Sequence, residues 1–185
     1  MQGYKYFDKK ALERVDRAVL MAEELVNNFF KLSAGHWLKN MYDIKTAKDL
    51  APHERVSGPF AQVVKYETGK KEFPLGSSSF SLYKVCLQDP AILSVVEKDK
   101  TILLDPFLLY VLTHELVHVA RFLRFEHRYE NVREANLTMA EERKVHQLTH
   151  AILHRVSIPG LSNVFIYYEK WRESPGADHP GKNFV

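Results

Sequence analysis

Two histidines and a glutamate fall within five residues, His114-Glu115-Leu116-Val117-His118, and Glu115 is the one formally charged residue between Pro106 and Ala120. On a helix, the i, i+4 spacing stacks both imidazoles on one face, a turn apart. That arrangement suits two adjacent positions of a tetrahedral zinc ion, whose bonds to nitrogen are about 2.0–2.1 Å. Glu115 neighbours His114, so it projects beside such an ion rather than into it, where it can take a proton from water and return it to a leaving group. Two histidines and a glutamate in an apolar helix are costly to bury unless something satisfies them, and a metal ion does so. The pattern predicts one zinc ion as cofactor and zinc-dependent hydrolysis as the chemistry, with Glu115 as general base.

These residues need a rigid helix. Asp105-Pro106 reads as its start, with Asp105 as N-cap and Pro106 at the first helical position. The segment from Phe107 to about Phe125 is apolar on nearly every face through Ala120, the mark of a central, buried helix. Thr138-Met139-Ala140-Glu141 reads as a capping box opening a second helix that runs to about Val156. Residues 8–33 carry Leu12, Val15, Val19, Ala22, Val26, Phe29 and Phe30 at helical spacing, and Ser33-Ala34-Gly35 breaks that pattern. Between them the period changes. Residues 60–66, 79–87 and 101–104 read as strands, with a turn at Thr68-Gly69-Lys70-Lys71 and a connection at 76–79 placed to border a cleft. Val164 to Trp171 fits a strand or a helix. The expected fold is α+β: a small, mostly antiparallel sheet packed on the buried helix, in one domain over 1–173. A Pro- and Gly-rich tail, 174–185, is expected to be flexible.

The pentapeptide resembles that of the zinc-metallopeptidases of the H-E-x-x-H class. Metzincins continue it as H-E-x-x-H-x-x-G-x-x-H, but Arg121 and Arg124 stand at those Gly and His places, so the chain departs from that subclass. The resemblance is to the gluzincins, of a small, minimal type, and it covers residues 105–155. It implies a sheet over the active-site helix, with an edge strand that binds an extended peptide by β-augmentation. It also implies a glutamate from a following helix as third zinc ligand. Glu141 and Glu142 lie in range. Glu141 has a local role in the Thr138 capping box, whereas Glu142 lies one turn ahead of His146. The metal set is therefore His114, His118 and Glu142, with Glu141 and His146 as the remaining candidates. Thermolysin-like enzymes place an Asp four residues after the ligand Glu; His146 stands there, placed to hydrogen-bond a ligand. No counterpart of the distal oxyanion-stabilising His or Tyr stands out among Tyr110, Tyr167, Tyr168 and His127.

Composition narrows the alternatives. The 185 residues are 45% hydrophobic and 26% charged, as in globular chains. Net charge is only +3, with acids and bases interleaved, so a nucleic-acid partner is not expected; Arg121, Arg124, His127 and Arg128 read as a solvated helix face. A lone cysteine, Cys86, makes no internal disulfide and reads as a buried small hydrophobe. No signal-peptide core and no run of about 18 uncharged apolar residues is visible, so no membrane partner is expected and the expected location is cytoplasmic. His146, His150 and His154 form a row along the second helix, too long at about 16 Å for one ion. Glu115-x-x-His118 also fits half of a di-iron bundle element, but Glu142 and His146 are spaced four apart rather than three. The expected partner is a peptide or protein substrate. The rival reading is a catalytically silent, metal-stabilised regulatory or interaction domain; a weaker one is a peptidase held closed until processed.

Overall fold

The computed structural model describes residues 5–32, 42–67, 81–124 and 135–173. Among them are six α-helices and three strands: α1 (Lys9–Phe30), β1 (Tyr42–Lys45), β2 (Ala61–Glu67), β3 (Ser81–Leu87), α2 (Asp89–Lys98), α3 (Leu104–Leu123), α4 (Ala135–Leu153), α5 (Leu161–Tyr167) and α6 (Glu169–Glu173). The fold is α+β, as expected. No helix among the described residues is long and apolar enough to cross a membrane.

α3 is the axis of the molecule. Every residue from Pro106 to Phe122 is buried, because no face of this helix carries enough polarity to meet water. α1, α2, α4, α5 and β2 all touch it. α1 begins at Asp8, whose side chain accepts from the Ala11 amide at 2.8 Å, and buries its Ala11, Val15, Ala18, Ala22 and Val26 stripe. It ends at Lys31, in the left-handed region at φ 52°, ahead of the expected break at 33–35, which lies outside the described residues.

The sheet order is β1-β3-β2. β2 pairs antiparallel with β3, from Ala61 opposite Leu87 to Glu67 opposite Ser81. β1 pairs parallel with β3, from Tyr42 opposite Tyr83 to Lys45 opposite Cys86. Ala61, Tyr83, Val85 and Leu87 share the face turned to the core, and Tyr83 stacks on Phe122 of α3 at 5.7 Å. The opposite face is covered by the 47–60 segment through one buried carboxylate, Glu54. It receives hydrogen bonds from Lys84 Nζ at 2.7 Å, from the Ala51 amide at 2.8 Å and from the Tyr66 hydroxyl. Burial pushes the Glu54 carboxyl up, but these donors overcome it and hold it at about 2. Cys86 is fully buried, as expected, and burial pushes its thiol up to about 12.

Several sequence expectations need correction. The sheet is mixed rather than mostly antiparallel, because β1 enters it parallel. Residues 101–104 are not a strand: Thr101 is tied in a turn by Asp99, and Leu104 already begins α3. The N-cap of α3 is Leu103; Asp105 lies inside the first turn and is bound by Arg14 Nε at 2.5 Å. α4 begins at Ala135, so Thr138 lies within the helix rather than at its cap. Residues 164–171 are helical, in α5 and α6. Arg121 is buried rather than on a solvated face. The turn at 68–71, the connection at 76–79, His127, Arg128 and the tail at 174–185 lie outside the described residues.

Candidate metal centre

α3 and α4 meet along a series of polar contacts that step toward the N-terminus of α3 as they step toward the C-terminus of α4. Arg121 grips Glu141, His118 and His114 face Glu142, and Tyr110 bonds His146. Every α3 member is buried, and so are Glu141 and His146.

The sequence-derived ligand candidates converge. His114 Nε2 and His118 Nε2 lie 3.2 Å apart. Glu142 straddles them, with Oε2 3.3 Å from His114 Nε2 and Oε1 3.3 Å from His118 Nε2. A tetrahedral centre with bonds of about 2.0–2.1 Å implies ligand-to-ligand edges of about 3.3–3.4 Å. The donor set, two imidazoles and one carboxylate, and the 3.2 Å edge between the two nitrogens therefore fit zinc. His114 adds a second observation: its Nδ1 is buried with no hydrogen-bond partner among the described residues, so the polar function of the ring falls on Nε2. Burial pushes the His114 pKa down, and the Glu142 carboxylate pulls it back up. The ring is thus suited to stay neutral with a lone pair available to a cation.

Glu141, the rival third ligand, is turned elsewhere. Its two oxygens take Arg121 Nε at 2.6 Å and Nη2 at 2.8 Å in a bidentate pair. The sequence expectation that a capping box occupies Glu141 is replaced by this tertiary partner. His146, the other candidate from sequence, lies at the same centre. One of its ring nitrogens lies within 4.8 Å of the ligand atoms of His114 and Glu142, and its ring centroid is 4.3 Å from that of His114. His150 and His154 lie farther along, with His150 packed on Phe165 at 4.5 Å.

Glu115 lines a small pocket that it shares with His114, His146, Phe60, Ala61 and Tyr168. Phe60 and Ala61 lead into β2, which stands at one end of the sheet order and so forms one wall. Tyr168 also lines the pocket; it stacks on Tyr110 at 4.1 Å and is itself 3% exposed. A carboxylate, two imidazoles and an apolar surround therefore line one space.

The Arg121–Glu141 pair and the Tyr110–His146 bond were missed from sequence. The first had a signal: Arg121 is seven residues past His114, on the same helical stripe, so a partner facing the histidines also faces Arg121. No protein-family model, no curated protein and no solved structure matches the chain.

Proposed function

We propose that this chain is a zinc-dependent hydrolase, acting on peptides, of the gluzincin type that its sequence resembles. The observation that carries the reading is the convergence of His114 Nε2 and His118 Nε2, 3.2 Å apart, on the Glu142 carboxylate, one oxygen 3.3 Å from each ring, set beside a glutamate that lines a pocket. When bound there, zinc supplies Lewis acidity, which lowers the pKa of water and polarises a carbonyl oxygen. Glu115 then takes the proton of the attacking water, and it delivers that proton to the amine as the C–N bond breaks. Phe60, Val111 and Tyr168 give the pocket apolar walls that limit bulk water. Arg121 occupies Glu141 and leaves Glu142 facing the histidines.

Glu115→Gln tests the division of labour. It removes the base without touching a ligand, so zinc content stays at wild type while hydrolysis of a peptide library falls by about a hundredfold or more. A Glu115→Gln protein as active as wild type contradicts the assignment. A second reading has its own observation: His114, Glu142 and His146 form a group that could hold a metal ion, and if His146 joins His118 in the set as a fourth protein donor the centre is closed. It is then a structural site in a metal-stabilised, catalytically silent domain. Chelation then lowers the melting temperature of a chain that hydrolyses nothing.

A further inference from the structure

Tyr110 decides the role of His146. Its hydroxyl lies 3.0 Å from His146 Nδ1, in a buried contact. The phenol is 0% exposed, and burial raises its pKa far beyond the ordinary range, so it keeps its proton. Burial sets the direction: among the described residues the hydroxyl's hydrogen-bond partner is His146 Nδ1, and a buried O–H that does not donate is costly. The Tyr110 O–H therefore points to His146 Nδ1, which accepts. A neutral imidazole that accepts at Nδ1 carries its proton on Nε2. A protonated nitrogen has no lone pair to offer a metal, but it is a hydrogen-bond donor. The same ring lines the pocket together with Glu115 and His114.

We propose that Tyr110 keeps His146 out of the metal set and presents the ring's Nε2–H to the carbonyl oxygen of a bound peptide. This rests on the zinc-hydrolase reading above. In the reaction, Glu115 takes a proton from water, the water oxygen bonds to the carbonyl carbon, and the C=O π pair moves onto oxygen. His146 Nε2–H donates to that oxyanion and keeps its proton. The oxyanion then collapses as the C–N bond breaks and Glu115 protonates the departing amine. His146 is the oxyanion donor, a catalytic residue absent from the sequence-derived set, and Tyr110 is its positioning residue. Trp171 and Tyr168 brace the ring, with centroids at 5.1 and 5.2 Å.

The test uses the full chain before and after addition of one equivalent of zinc. Long-range nitrogen–proton NMR of the histidine rings reports each tautomer directly. The expected result is His146 with Nδ1 bare and Nε2 protonated in both states, while zinc displaces the signals of His114 and His118. His146→Gln, which retains an N–H donor, and His146→Ala, which does not, both bind zinc within about threefold of wild type. His146→Ala lowers kcat about a hundredfold with little change in KM, and His146→Gln recovers part of it. Tyr110→Phe keeps the metal but returns His146 to a mixture of tautomers. Zinc shifting His146 Nε2, or His146→Ala losing zinc as fully as His118→Ala, overturns the inference and leaves a closed four-donor site. Wild-type protein that takes up no zinc overturns the hydrolase reading itself, and this inference with it.

Discussion

The Arg121–Glu141 pair joins α3 to α4 beside the candidate ligands, and its removal has a calculable consequence. Both side chains are close to fully buried, at 11% and 9% exposure, and the guanidinium meets both carboxylate oxygens at 2.6 and 2.8 Å. Removing one member of such a pair leaves a charge stranded away from water, which costs about 3–5 kcal/mol. Arg121→Met should therefore destabilise the chain by about 3 kcal/mol or more. For a chain of this size that is a fall in Tm of roughly 6–12 °C. Arg121→Met combined with Glu141→Leu removes both charges and should recover at least half of the loss, because the stranded carboxylate is gone. The measurement is urea unfolding of the four proteins of this cycle in chelator, so that metal contributes nothing to the difference. A second arm titrates zinc against a competing chelator. Glu142 is adjacent to Glu141, so loosening this contact should weaken zinc binding about tenfold or more, as losses of residues that support ligands do. If the two single variants add within about 0.5 kcal/mol, the pair carries no coupling and the reasoning fails. If Arg121→Met binds zinc as wild type does, the contact does not position Glu142.

Two further outcomes follow from the fold. The Glu54 carboxyl sits at about 2 when folded, below its ordinary 4.5. Its contribution is therefore fully present above about pH 5 and drains away as pH falls from there toward 2. Lys84→Met should remove about 2 kcal/mol at neutral pH, less than a fully buried pair because Lys84 reaches solvent, and should flatten the acid limb of a stability profile. An acid limb unchanged in Lys84→Met contradicts this. Gly160 sits at φ +83°, and a Cβ there would come within 3.0 Å of Leu103 Cδ1. Gly160→Ala should cost about 1–2 kcal/mol by thermal melting, and a neutral result would refute the claim that this turn requires glycine.

What could be read from sequence was what repeats along one element. The apolar continuity of α3 announced its burial, the stripe of α1 announced its inner face, and the i, i+4 histidines announced a shared face. What could not be read depended on partners distant in the chain. β1 is four residues, all half-buried, with no alternation to find, and its parallel pairing exists only through β3. Ile102 and Leu103 suggested a strand because a short apolar run suits either state, and the Asp99 turn decided it. Glu141 looked like a cap because Thr138 stands three residues ahead, but the Arg121 guanidinium offers it a stronger partner than a helix terminus does. His146 looked like an accessory to a ligand, and its partner Tyr110 is 36 residues away.

The central claim is that His114, His118 and Glu142 hold one zinc ion. Elemental analysis of the full chain, purified without chelator and then dialysed against zinc, tests it most directly, with His118→Ala and Glu142→Ala alongside. About one equivalent is expected in wild type and in Glu115→Gln, and a loss of most of it in His118→Ala and Glu142→Ala. Less than about a tenth of an equivalent in reconstituted wild type, or full zinc in both ligand variants, would contradict it.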